Sequence, residues 1–377
     1  MGEARQVKGA FRQGLPPLQH VEGDFDLAKK LGHNAHRFSI EWSRIEPREG
    51  SFDANELEHY RKVIRALKAR GLEPLVTLHH FTSPQWFAAR GGWENRGLVK
   101  YYLRYVEYIV GNLASDVRFW ITINEPNIYA YLSYVTGVWP PQKKEPLAAC
   151  RVMGNFAQAH INAYRAIKGI YKKNGLAEPM ISIAQNMQAL EACSPGIRNK
   201  LAVYLRDRIF NFAFIDKVVR KKALDFIGLN YYNRGLVEVR GWGVRNLFFD
   251  LCESNHKPLP RNSLGWDIYP EGLYLLLRKL KRYGLPVFIL ENGICTEDDA
   301  LRWDFIRAHL DSVYRAIKDG VKVMGYIYWS LMDNYEWDKG FAPRFGLIGI
   351  DYVTYERKVR PSAEKFAGAC RTGSLDE

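Results

Sequence analysis

The chain has 377 residues, 47% hydrophobic and 25% charged, the composition of an ordinary globular protein. A net charge of +13 raises nucleic acid or an anionic surface as partners. The basic residues form no long tract, however; Arg220-Lys221-Lys222 and Arg278-Lys279-Leu280-Lys281-Arg282 fall in helix-like segments and read as solvated faces, so no nucleic-acid partner is expected. No apolar leader and no 18-residue apolar run occurs, and the five cysteines are dispersed without a CxxC. The expectation is a soluble, cytoplasmic protein with no membrane partner, zinc ribbon or disulfide framework.

Strand-like and helix-like segments alternate along the chain. Ala35 to Trp42 reads as a strand, followed by a helix over about Asp53–Arg70. Leu72–His80 is the next strand, with a continuous apolar centre, and a helix over about Gly97–Leu113 leads to the strand Val117–Pro126. A helix over Val152–Lys173 precedes the strands Met180–Gln185 and Phe226–Tyr232, which a second helical stretch separates. Helices over Gly272–Tyr283 and Ala300–Asp319 precede the strands Pro286–Glu291 and Val323–Ser330, and a last helix follows Pro361.

Apolar strands alternating with amphipathic helices indicate a parallel sheet covered by helices. No linker divides the chain, so the expectation is one α/β domain over residues 1–377, a (β/α)8 TIM barrel. Only seven strands are legible. Residues 1–26, rich in Gly, Pro, Gln and charge, contain nothing like a buried strand, so the first strand is either irregular or absent.

In a parallel α/β barrel the active site sits at the C-terminal ends of the strands. Six of the seven strands end in polar or indole side chains: Arg37, His80, Asn124 with Glu125, Asn230 with Tyr232, Glu291, and Trp329. Packing does not account for such a rim, because Glu and Arg are rarely buried without partners. Two strands ending in glutamate point to a carboxylate pair, which acetal cleavage requires: one carboxyl group to protonate the leaving oxygen, one to meet the oxocarbenium-like carbon. Glu125 has no cation beside it in sequence, and Tyr232 is a candidate hydroxyl donor to Glu291.

Six strings, His36-Arg37-Phe38-Ser39-Ile40, Leu78-His79-His80-Phe81, Thr122-Ile123-Asn124-Glu125-Pro126, Gly228-Leu229-Asn230-Tyr231-Tyr232, Leu290-Glu291-Asn292-Gly293 and Trp329 to Trp337, resemble in order and spacing the retaining β-glycosidases of glycoside hydrolase family 1. The resemblance runs from about Asp24 to near the C-terminus. It implies Glu125 as general acid/base and Glu291 as nucleophile. Arg37, Asn124 and Tyr232 would then support the nucleophile and the sugar's 2-hydroxyl, and His80, Glu336 and Trp337 would bind the glycone over a Trp329 floor. Asn230 and Phe345 are second-line candidates. The implied function is hydrolysis of terminal β-D-glucosides or β-D-galactosides, with a small saccharide or aryl β-glycoside as partner and no cofactor. The carboxylate of Glu336 favours neutral sugars over 6-phosphates.

Remaining signals are weaker. His33 and His36 lack a third metal ligand, and Gly241-Trp242-Gly243 is too short for a nucleotide loop. Trp86 and Trp139 sit in turn-rich loops, where they either line the leaving-group side or pin the loops. The family's usual first strand, with its glycone-gripping Gln, has no match in residues 1–26; Gln13, Gln19 and Val21-Glu22-Gly23 are faint echoes. That departure motivates an alternative, a weakly active or inactive barrel that binds a sugar or a protein partner. Transglycosylation would use the same residues.

Overall fold

In the computed structural model, residues 18–241, 243, 252 and 258–375 are described. Seven parallel strands form one sheet in sequence order: β1 (Ala35–Ser39), β2 (Glu73–Thr77), β3 (Phe119–Asn124), β4 (Met180–Ala192), β5 (Ile227–Val237), β6 (Val287–Asn292) and β7 (Val323–Tyr328). Each neighbouring pair is parallel, and helices connect the strands as the alternating pattern requires.

Local signals fix several helix starts. Asp53 accepts from the amides of Asn55 (2.8 Å) and Glu56 (3.2 Å), and so caps the helix Ala54–Ala69. Asp298 caps Asp299–Lys318 in the same way. Helices Pro126–Tyr134, Pro146–Lys173, Pro270–Leu280 and Pro361–Thr372 each open on proline, whose missing N–H costs nothing at a first turn.

Leu75, Ile121, Ala184, Phe226, Phe288 and Leu290 point into the barrel and form a closed apolar plug. A larger cluster outside the sheet, including Trp42, Trp93, Tyr102, Trp120 and Phe156, joins the strands to their helices. Along a strand the inward positions repeat every second residue. From the plug residues, that period carries β1 from Ala35 to Arg37, β2 from Leu75 to Thr77, β4 from Ala184 to Asn186 and β7 from Ile327 to Trp329. The polar rim is thus the next inward layer above an apolar one.

The strand-by-strand expectation holds with shifted boundaries; β4 and β5 run on to Ala192 and Val237, well past their expected ends. An unexpected helix, Leu18–Lys30, precedes β1 and buries Phe25 and Ala28. Val21-Glu22-Gly23 is therefore helical and supplies no strand. Gln13 lies outside the described residues, as does the side chain of Gln19.

Among the described residues no strand joins β7 to β1, so the sheet has two edges. They flank a cavity of about 460 Å³ that runs from Gly32 and Phe366 up to Arg37 and Trp329. An antiparallel hairpin, β8 (Ile348–Ile350) with β9 (Arg357–Val359), follows β7. Cys193 is bonded to Cys252, a pairing not expected from the dispersed spacing.

Candidate active site

Both glutamates are placed where the strands lose their regular alternation. The pairing of β3 with β4 shifts between Ile121 and Asn124, and that of β5 with β6 between Leu229 and Asn230. On β6, Leu290 belongs to the plug, while its immediate neighbour Glu291 lines the cavity above. Such shifts re-aim side chains that strict alternation would send to the opposite face. Glu125 closes β3 in a left-handed conformation (φ 42°, ψ 59°) and is the residue from which the helix Pro126–Tyr134 starts. Beyond Glu291, Gly293 passes so close to the carbonyl of Trp329 that an added Cβ would lie 1.8 Å from its oxygen. Only glycine fits there.

The two carboxyl groups live in different surroundings. Glu291 is 4% exposed and accepts from Arg37 Nη1 at 2.5 Å and from the Tyr232 hydroxyl at 2.6 Å. Arg37 also donates to Asn124 Oδ1 (2.6 Å) and, through Nε, to Thr77 Oγ1 (3.1 Å). A guanidinium held on three sides cannot swing away, so Glu291 is oriented as well as paired. Glu125, 6% exposed, touches no cation among the described residues; its Oε1 accepts from the amides of Asn186 (2.9 Å) and Asn230 (2.8 Å). Burial first, and then the charge of Glu291, raise its pKa to about 8, against the pull of those amides and of Arg37. One carboxyl group is thus held as a proton donor beside another that is gripped as an acceptor.

Around them lies a cavity of about 370 Å³ lined by His80, Asn124, Glu125, Tyr232, Glu291, Trp329, Glu336, Trp337 and Phe345 among others. Arg37 and Asn230 stand just behind this wall, each bonded to a glutamate. All eleven residues singled out in the sequence therefore converge. His80 packs against Trp329 (6.1 Å) and Trp337 (5.4 Å); burial, then Arg37, keeps its imidazole neutral. Glu336 is raised to about 7, by burial first and by Glu291 second. Its loop is anchored by buried Asp333, which accepts from the Gly346 amide (2.8 Å) and from Arg360 (2.9 Å). Among the described residues the buried Asn124 Nδ2 has no hydrogen-bond partner, so it can donate to a ligand.

Sequence reasoning missed several residues. Asn186 supports Glu125 but lies one position past the expected end of its strand, where the same polar-end signal was present. Thr77 anchors Arg37 from β2. Trp139 donates to Asp338 Oδ1 (2.8 Å) and packs on Phe81 (4.8 Å), so it both lines the cavity and pins two loops. Gln188, Leu264 and Trp266 complete the wall and carried no signal in the sequence.

Comparison with known proteins identifies the family. The model of glycosyl hydrolase family 1 matches residues 18–223 and 208–372. The chain is 32% identical to a beta-galactosidase of Sulfolobus acidocaldarius, over 93% of this chain and 83% of that one. It superposes on a beta-glycosidase from Pyrococcus horikoshii with a TM-score of 0.88 and 38% identity, covering 94% of this chain and 84% of the other. A beta-glucosidase from Thermotoga maritima in complex with glucoimidazole gives a TM-score of 0.87 and 29% identity, over 95% and 87%. With its fold and nearly its whole length matched, the chain belongs to glycosyl hydrolase family 1.

Proposed function

We propose that the protein is a retaining β-glycosidase that hydrolyses terminal β-D-glucosides or β-D-galactosides by double displacement. The observation that carries this reading is the contrast between the glutamates: Glu125 holds a proton to about pH 8, whereas Glu291 accepts from Arg37 and Tyr232. In the first step Glu125 protonates the glycosidic oxygen as a Glu291 oxygen attacks the anomeric carbon. The C–O bond to the leaving group breaks, an alcohol departs and a glycosyl ester forms. In the second step Glu125, now a carboxylate, takes a proton from water. The oxygen of that water attacks the anomeric carbon, the ester bond breaks, and both glutamates regain their starting states.

The other residues have matching tasks. Asn124 Nδ2 is free to donate to the sugar's 2-hydroxyl, where hydrogen bonds strengthen in the transition state. Trp329 forms an apolar floor, and His80, Glu336 and Trp337 meet the hydroxyls of the glycone. Glucosides and galactosides differ only in the direction of one hydroxyl, and relatives named for both sugars support the wider class.

Replacing Glu291 by Gly removes the nucleophile and leaves a space that azide can enter. With an activated aryl β-glycoside, azide should restore turnover and give a glycosyl azide of inverted configuration. Absence of rescue, or a retained product, would remove Glu291 from this role. An inactive binding barrel would instead show the same aryl glycoside rate for the wild type and Glu291→Gly.

A further inference from the structure

We infer that the leaving-group side of this site is built for an apolar aglycone, an alkyl or aryl chain, in preference to a second sugar. The inference deepens the proposed glycosidase reading and rests on it. The acid must reach the oxygen shared by glycone and leaving group, so the leaving group lies beside Glu125. Glu125 starts the helix Pro126–Tyr134, and Ile128 and Leu132, three and seven residues on, fall on the same helical face. Both line the cavity that holds the two glutamates. The chain then folds back: the amides of Val138 (2.8 Å) and Trp139 (3.1 Å) both donate to the Leu132 carbonyl, which continues the apolar wall to the mouth. Val138 is 49% exposed there. Across the cavity stand Leu264 and Trp266, in a loop held by Asn262, whose side chain accepts from both their amides (2.9 and 3.0 Å).

Of the polar groups lining the cavity, Gln188 and Asn233 are set among these apolar side chains, and three others are engaged by their neighbours. Asn186 donates to Glu125, Asp338 accepts from Trp139, and Lys339 pairs with Asp338 at 2.9 Å. A second sugar would bring hydroxyls against aliphatic walls and find few partners, whereas an apolar chain needs none. The sequence could not show this, because Ile128 and Leu132 read equally well as core positions of a short helix.

The test is a series of alkyl β-D-glucosides from methyl to octyl, with cellobiose alongside, and a parallel series of uncleaved alkyl 1-thio-β-D-glucosides whose binding is followed by calorimetry. We expect kcat/KM and thioglucoside affinity to rise about two- to fourfold per methylene until the chain passes Val138, with octyl glucoside above cellobiose. Leu132→Asn and the half-exposed Val138→Asp should each flatten both slopes. Hydrolysis without any rise along either series, or cellobiose turned over better than octyl glucoside, would overturn the apolar subsite and leave the glycosidase standing. Affinity that rises with chain length while no glycoside is cleaved would keep the subsite and overturn the proposed hydrolysis.

Discussion

From β3 to β7, side-chain hydrogen bonds tie the strand ends together, whereas the outer edges of β1 and β7 face a cavity with no strand between them among the described residues. Asn186 of β4 and Asn230 of β5 both reach Glu125 beyond β3, Tyr232 of β5 reaches Glu291 of β6, and Tyr326 of β7 donates to Asn292 of β6 at 2.7 Å. The two glutamates and the side chains that reach them from β4 and β5 therefore lie on the well-bonded side. The open side contributes Arg37, which leaves its edge strand to bind β2, β3 and β6 at once. Among the described residues, the two carboxyl groups are held in register by local cross-links between the strands that bear them and their neighbours.

The largest effects should come from the bonded side. Glu125→Gln should lower kcat on a disaccharide about 10²- to 10⁴-fold, while aryl glycosides with acidic leaving groups lose much less in their first step; equal losses on both would deny Glu125 the acid role. Next comes the residue that joins the two sides. Arg37→Met leaves Glu291 buried without its cation, and should cost about 3–5 kcal/mol in denaturant unfolding as well as activity. A loss of stability below 1 kcal/mol would show that the open side is energetically independent of the pair.

A smaller, pH-dependent effect follows from Glu125. Its folded value of about 8 lies above the ordinary 4.5, so the native state keeps a proton that the unfolded chain releases. The associated stability is fully present below about pH 4.5 and is lost as the pH rises through 8. Glu125→Gln cannot lose it, so the melting temperature of the variant relative to wild type should climb between pH 5 and pH 8. A constant difference would place the carboxyl in wetter surroundings. The smallest expected signal is amide exchange: β1 and β7, each paired on one side only, should exchange faster than β3 to β6. Equal protection would mean that both edges are covered in solution.

The sequence disclosed these two sides unequally. Glu125, Glu291 and Tyr232 were legible because an apolar run that ends in a charged or phenolic group has no packing explanation, and Arg37 because an arginine within a strand needs a partner. Asn186 escaped because its strand runs seven residues past Gln185, an extension that pairs with the similarly extended end of β5. The helix Leu18–Lys30 was hidden by the Gly and Pro around it, although Phe25 and Ala28 stand at helical spacing. Leu264 and Trp266 belong to a loop, and no periodicity in sequence tells which way a loop faces. The seam between β1 and β7 was foreseeable only as a missing strand.

Arg37 also has a mechanical consequence. Where no strand joins β7 to β1 among the described residues, stiffness that a closed hoop gains from continuity can come from chords across the interior, and the bond from Arg37 to Glu291 is such a chord, running from β1 to β6 on the far side of that gap. In the proposed double displacement Glu291 spends part of each cycle as a neutral ester, so the chord slackens when the sugar is attached and tightens when it leaves. The load on the seam would then follow the chemistry, once per turnover.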